Sequence, residues 1–310
     1  MSFETIETAD RAGWLKARRE GIGASDIAAI MGISPYSTPF QVWASKVAEL
    51  PDDNPTEGMK WGRILENVIL DEWGQQNRPV RGRDQLVRST DVPIMMATLD
   101  GITTTPEGHK PAVAEAKNRS EWSWDSIPEY YTAQVQWQLA VTGFEVGYLI
   151  VLFGGRHLET FEIEADNDYQ TVQILAAGNF WKLVEANEPP PVEAEDNPLM
   201  SSLWPYPTEQ AIEVDPDAAI ELYEARSAAK TADERKATAE VSVKVILGDA
   251  DTAVVGQQVT ATWRNNGKGR RLLVKGEALD VWKTAVQDTD NSETARLAGY
   301  CLSVCGWVGF

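Results

Sequence analysis

"PIMMATLDGITTTPEGHKPAVAEAKN", residues 93–118, holds the spacing from which the fold of the chain can be read. "PIMMATLD" is a short apolar run of strand character that ends on Asp100, and Gly101 follows. "AVAEAKN" is a second such run, with Glu115 between Ala114 and Ala116 and Lys117 two residues on. Side chains along a strand alternate between its faces, so Glu115 and Lys117 are expected on one face. Singly, each feature is ordinary. An Asp before Gly forms turns, and Glu-x-Lys on a strand is commonly an exposed pair. A third acid upstream changes the weight of the set. Glu66 lies in "MKWGRILENVILDEW", a predicted helix whose apolar face carries Trp61, Ile64, Leu65, Val68, Ile69 and Trp73. At about 100° per residue, Glu66 falls at the edge of that face. Carboxylates are hard oxygen ligands of the kind that hold Mg²⁺ or Mn²⁺. A cation so held steadies charge on phosphoryl oxygens. A lysine beside it can orient or deprotonate a water and offset developing negative charge.

A glycine-rich turn precedes these elements in "REGIGASDIAAIMG", residues 19–32. A dinucleotide loop would need a buried strand before it and a third glycine at fixed spacing. The preceding "DRAGWLKARRE" has no β-branched run and reads as a helix, and the third residue after Gly23 is Asp26. A Walker loop would need Gly-Lys-Ser/Thr, which is absent. Ser25 is instead predicted as a helix N-cap, with Gly32 ending a two-turn helix. Such a helix start, next to Arg18 and Arg19, suits an anion. Asp26 would repel one, so its side chain is expected to turn away.

The 310 residues allow one large domain or two smaller ones, and a 43% hydrophobic content is ample for a core. No apolar run is long enough to span a membrane. The start "MSFETIETAD" is acidic and polar, unlike a signal peptide, so a cytoplasmic protein is expected. The two cysteines, Cys301 and Cys305, cannot supply the four ligands of an iron–sulfur cluster. The net charge of −19 argues against nucleic acid as a partner, but it is unevenly spread. Residues 159–224 hold sixteen acids and one base, whereas residues 226–275 hold ten bases and five acids.

The proline-rich acidic stretch "NEPPPVEAEDNP" is the clearest boundary. It predicts a catalytic core over 1–188, an acidic linker over 189–214 and a C-terminal arm over 215–310. Within the core, helices are expected in "STPFQVWASKVAEL", "PEYYTAQVQWQLAVTG" and "DYQTVQILAAGNFWKLVEA". "DQLVRS", "EVGYLIVLFGG" and "HLETFEIEAD" read as strands, the last two forming a hairpin. The arm begins with a long charged helix, or two. "QQVTATWRNNGKGRRLLVK" then reads as a hairpin turning at Asn265-Asn266-Gly267, with Trp263 among four bases, a composition suited to guiding DNA or docking a partner.

Six motifs in order, "REGIGASD", "SPYSTPFQVW", "WGRILE", "TLDG", "EAK" and "AQVQWQLAVTG", closely resemble the YqaJ-like viral recombinase family. That family is related to bacteriophage lambda exonuclease within the PD-(D/E)xK nucleases, and the resemblance covers about residues 11–165. It implies an α/β, restriction-endonuclease-like core: a central mixed sheet flanked by helices, here followed by a C-terminal helical arm and a small β element. It also implies a Mg²⁺-dependent exonuclease, with Mn²⁺ as an alternative, that resects double-stranded DNA from its 5′ ends. The remaining 3′ strand would pass to a single-strand annealing protein, as in phage-type recombination. By motif, Asp100 and Glu115 would bind metal through side chains, Ala116 through its carbonyl, and Glu66 directly or through water. Lys117 would handle the water, Gln134 would support the site, and Arg19 and Ser25 would grip a 5′-phosphate. Leu99 stands where the family often has proline. Relatives of the lambda type imply a ring homo-oligomer, with no membrane partner. Two other functions fit parts of the sequence: a structure-specific endonuclease on the same core, and an acidic DNA-mimic inhibitor.

Overall fold

The computed structural model describes residues 2–50, 56–108, 110–255 and 258–275, in two compact units, Met1–Thr208 and Glu209–Phe310. The first unit runs β1 (Phe3–Thr5), α1 (Arg11–Arg19), α2 (Ala24–Ile30), α3 (Pro39–Val47), α4 (Glu57–Gln76), β2 (Gln85–Ser89), β3 (Met96–Leu99), β4 (Gly101–Thr104), β5 (Pro111–Arg119), α5 (Glu129–Thr142), β6 (Val146–Phe153), β7 (His157–Glu164), α6 (Asn167–Ala186) and α7 (Asn197–Leu203). It is the expected mixed α/β core. A four-stranded sheet has the order β4-β5-β6-β7, with β5 and β6 parallel and both outer pairs antiparallel. A smaller sheet, β1-β2-β3, is antiparallel throughout.

Alternation along β5 and β6 splits the core into two layers. Val113, Leu149, Val151 and Phe153 join the large cluster around Trp137 of α5 and Phe40 of α3. Ala112, Ala114, Ala116, Tyr148 and Ile150 face the other way, against Ile69, Leu70 and Trp73 of α4. Helix α5 is the crossover that two parallel neighbours require. Most of its surface is buried, so it carries no polar stripe facing water. It ends on Gly143, whose φ of 73° is the left-handed cap that glycine accepts without strain.

The chain changes sheets at one residue. Leu99 pairs with Gln85 in the small sheet, and Gly101 pairs with Ala114 in the large one. Asp100 lies between them. The short strand β4 was not expected, because "GITT" carries little apolar signal of its own. A Cβ at Gly101 would come within 2.3 Å of a Val80 methyl, so any side chain here would force Val80 to shift.

Three expectations need correction. Of the face predicted for α4, Ile69 and Trp73 are buried, but Trp61, Ile64 and Val68 are exposed and Leu70 is buried in their place. The apolar stripe is wider than the sheet surface beneath it. The stretch 189–208 is no free linker. Asp196 is fully buried and accepts from Thr38 (2.5 Å) and from the Glu193 N–H (2.7 Å), and Leu199, Met200 and Leu203 of α7 pack on the main core. Only the end of the expected linker falls in the second unit. There, α8 (Pro216–Leu247) is a single 32-residue helix, followed by the antiparallel sheet β8 (Thr252–Val255), β9 (Gln258–Asn265) and β10 (Arg270–Val274). The third correction is the hairpin, which turns over residues 266–269, with Gly267 and Gly269 at positive φ; Asn265 still pairs with Arg270. Arg270 lies 3.8 Å from the Trp263 ring centroid and donates to the Gly248 carbonyl, so one of the four hairpin bases is committed to the fold. Cys301 and Cys305 lie outside the described residues. Among the described residues no helix is long and apolar enough to cross a membrane.

Candidate active site

The ladder between β4 and β5 ends at Gly101 and Ala114, so among the described residues no strand pairs with β5 beyond Ala114 on that side. Asp100 fills that gap: its Oδ2 accepts from the Ala116 N–H at 2.9 Å. Glu115 and Lys117 share a face of β5 as the alternation predicted, and the ammonium bonds Oε1 of Glu115. Glu115 is 1% exposed, so its charge must be met by protein groups. Helix α5 meets it from above. Gln134 donates to Oε1 at 2.5 Å, and Gln138, one turn on, donates to Oε2 at 2.7 Å. Asp100, Glu115, Ala116, Lys117 and Gln134 line a cavity of about 300 Å³ together with Glu66 of α4, Arg18 and Ser25.

The electrostatics are those of crowded like charges. Burial and then Glu115 push the Asp100 carboxyl well above the usual range, against the pull of Lys117. Burial, Asp84 and Glu115 push Glu66 up to about 7. Burial works against the Lys117 ammonium, but Glu115, Asp100 and Glu66 outweigh it and hold the lysine above its ordinary pKa. Among the described residues no three acidic, histidine or cysteine side chains converge to enclose a metal ion as they stand. Glu115 is spent on Lys117 and two glutamines, and Asp100 on a backbone N–H. The donor chemistry nevertheless fits a hard divalent cation. Three carboxylates around one cavity, two of them resisting ionisation, are a site whose charge a dication would balance.

The glycine-rich turn serves packing first. Ile22 donates to the Ile94 carbonyl at 2.7 Å and accepts from the Met96 N–H at 2.9 Å, which fixes the turn beside β3. A Cβ at Gly21 would lie 2.6 Å from that same Ile94 oxygen. Ser25 is not the N-cap of α2. Gly23 is, and its N–H donates to Asp26 at 2.9 Å. Asp26 does not line the carboxylate cavity; it accepts from Arg18 at 3.0 Å and Lys46 at 2.7 Å. Arg18 also donates to Ser25 at 3.0 Å, whereas Arg19 turns to the exposed Glu49 at 2.9 Å. The structure therefore brings Glu66, Asp100, Glu115, Ala116, Lys117, Gln134 and Ser25 together, and puts Arg18 rather than Arg19 on the cavity wall.

Two participants were missed from sequence, and Arg18 was read beside the helix start without being given the role assigned to Arg19. Gln138 had a signal, its i+4 spacing from Gln134. Asp84, which acts on Glu66, had none, because its position depends on how the chain returns from α4.

Residues 13–145 match the family model of the YqaJ-like viral recombinase domain, which bears out the resemblance carried by the six motifs. Over 180 residues the chain is 32% identical to the uncharacterized protein YqaJ of Bacillus subtilis (strain 168), covering 55% of each. The chain thus spans about half the length of that curated relative. Among solved structures, the alkaline exonuclease LHK-Exo from Laribacter hongkongensis aligns with a TM-score of 0.47 and 17% identity, over 57% of this chain and 94% of that one. A phage related exonuclease from Haemophilus somnus 129PT aligns with a TM-score of 0.39 and 12% identity, over 54% and 96%.

Proposed function

We propose that the first unit is a divalent-metal-dependent DNA exonuclease that resects duplex ends in the 5′ to 3′ direction, Mg²⁺ being the metal and Mn²⁺ a substitute. The observation that carries this is the convergence of Glu66, Asp100 and Glu115 on one cavity with Lys117 bonded to Glu115. Asp100 and Glu115 would hold the cation, with Glu66 directly or through water. The N–H and C=O of one strand residue point to the same side, and the Ala116 N–H faces Asp100, which favours its carbonyl as a further ligand. The bound cation would supply positive charge to the phosphoryl oxygens. Lys117, bonded to Glu115 at the edge of the cavity, would orient or deprotonate the attacking water and offset developing negative charge. Gln134 and Gln138 fix Glu115 in one rotamer.

The terminal phosphate would sit at Ser25, with Arg18 as its cation in place of the Arg19 that the resemblance implies. A charge-assisted contact to phosphate is worth roughly 1.5–3 kcal/mol, or about ten- to a hundredfold. Wild type should therefore digest 5′-phosphorylated duplex faster than 5′-hydroxyl duplex. Arg18→Ala should shrink that preference more than Arg19→Ala does, because only Arg18 lines the cavity. An equal preference in all three proteins would remove the phosphate site. Transfer of the product to a single-strand annealing protein, and a ring of several copies, rest on the resemblance alone.

The deciding experiment incubates linear duplex with Mg²⁺ and reads polarity from end labels, with supercoiled circular DNA alongside. Loss from the 5′ end with the circle intact is the expected result. Cutting of the circle would instead make the protein an endonuclease, and no cutting of either would overturn the nuclease assignment.

A further inference from the structure

A second, larger groove of about 1100 Å³ adjoins the carboxylate cavity and shares Arg18, Ser25, Lys117, Asn118 and Gln134 with it. Its character is different. Among the described residues Asp26 is the one acid on its wall, where Tyr36, Tyr130 and Tyr131 also stand. Strand β5 connects the two. Glu115, Lys117 and Arg119 follow one another on the same face, so Arg119 lies about 13 Å from Glu115 at about 3.3 Å per residue.

Tyr36 is 64% exposed. A lone exposed aromatic needs no explanation, but this one is held at both ends. Its hydroxyl accepts from Arg119 at 2.8 Å, and its ring meets Tyr130 edge to face at 5.6 Å and 89°. Tyr130 leans on Tyr131 at 4.3 Å, and the Tyr131 hydroxyl accepts from the same Arg119 nitrogen at 3.2 Å. Trp124 stacks behind Tyr131 at 5.3 Å, and the Lys117 ammonium lies 5.6 Å from the Tyr131 ring. Glu121 takes the other side of the Arg119 guanidinium, so that arginine is committed to positioning the tyrosines rather than to a ligand. An aromatic face fixed in advance and left open to solvent loses little freedom when a flat ligand lands on it. Every nucleobase has such a face, and cations flank the groove for the backbone.

We propose that Tyr36 and Tyr130, positioned by Arg119, form a stacking platform for unpaired bases of the DNA strand that leads to the carboxylate cavity. The proposal rests on the nuclease assignment for its ligand class and adds to it a preference for bases as such. A duplex end would then have to fray by a few nucleotides to reach the cavity, and stacking on the tyrosines offsets part of that cost.

The test measures binding, not cleavage, using the full chain with Ca²⁺ in place of Mg²⁺. The probes are a 3′-labelled, 5′-phosphorylated single-stranded 12-mer and the same strand with abasic sites at its first four positions. Wild type should bind the intact strand about tenfold or more tighter than the abasic one. Tyr36→Ala should bind both at the abasic level, with an unchanged melting temperature, while Tyr36→Phe keeps most of the difference. Should Tyr36→Ala melt early, Tyr36→Leu, which keeps bulk without the π-face, gives the same comparison. Equal binding of both strands by wild type would overturn the platform. So would a full difference in Tyr36→Ala or Tyr36→Leu, or a loss in Tyr36→Phe as large as in Tyr36→Ala, which would mean that the hydroxyl only pins the loop. The two proposals fail separately: cleavage of duplex ends with no base effect removes the platform alone, whereas no binding to any DNA removes both.

Discussion

Asp26 lies outside the carboxylate cavity and Asp100 on its wall, and the two have opposite fates. Both are largely withdrawn from solvent, and in both cases burial alone would raise the pKa. Around Asp26 the opposing forces win: Lys46, Arg18 and the Gly23 N–H bring it down to about 2. Around Asp100 the main neighbour is another carboxylate, and the pKa goes up. A buried acid with its own cations is complete as it stands, and it holds α1, α2 and α3 together. Among acids, the one lysine beside them, Lys117, does not bring Asp100 or Glu66 back to the ordinary range, so the described residues leave the set short of positive charge. This contrast separates a structural ion cluster from a candidate site, although acids and bases are mixed in both.

The contrast is sharpest in activity. Asp100→Asn or Glu115→Gln should reduce cleavage by several orders of magnitude, because each keeps the shape and removes an anionic ligand. In metal-free protein near pH 7, Asp100→Asn should not lower the melting temperature and should raise it, since the replaced carboxylate is one that burial disfavours. Wild-type-like cleavage in either variant, or early melting of Asp100→Asn, would erase the distinction. Lys117→Ala comes next. Turnover should fall by orders of magnitude while metal affinity, followed by calorimetry, changes less. Collapse of metal binding with normal residual chemistry would give the lysine a different role.

A smaller effect concerns the cation itself. Mg²⁺ or Mn²⁺ at about a hundred times its dissociation constant should stabilise the wild type by about 2.7 kcal/mol. Asp100→Asn should show little of that shift in its melting curve. Equal shifts in the two proteins would place the ion elsewhere.

The smallest effect belongs to Asp26. Its folded pKa of about 2 against an ordinary 3.8 amounts to about 2 kcal/mol. Lys46 offsets part of this at neutral pH, because burial holds its own pKa down. Asp26→Asn should therefore be less stable than wild type by about 1–2 kcal/mol. Because the folded pKa lies below the unfolded one, the difference should be complete above about pH 4 and vanish as the pH falls through about 2. Urea titrations at pH 7 and pH 2.5 would show it, and a difference that grew with acid would contradict the cluster.

What could be read in the sequence follows from how local each relation is. Glu115 and Lys117 sit two apart on one strand, and a period of two fixes their common face whatever surrounds them. The glycine that ends α5 and the hairpin of β6 and β7 were equally local. The face of α4 was not, because Trp61 to Trp73 form a stripe that periodicity alone cannot trim to the sheet beneath. The role of Ser25 was misjudged because Gly23 and Asp26 cap the helix between them, which only the backbone reveals. Gln138 depended on which turn of α5 meets β5. The stretch 189–208 looked like a linker by its prolines and acids, yet Asp196 and three apolar residues of α7 anchor it. Composition describes the residues of a segment but not the surface waiting for them.

The passage through Asp100 also bears on how this chain can change over generations. With Leu99 registered against Gln85 and Gly101 against Ala114, the count of residues between two independently pinned ladders is one. Substitutions along either strand can be absorbed by repacking. An insertion or deletion there must slip one ladder by a residue and turn its whole set of side chains to the opposite face. A longer hairpin between β6 and β7 would leave both ladders in register, whereas the interval from β3 to β4 is held to one residue.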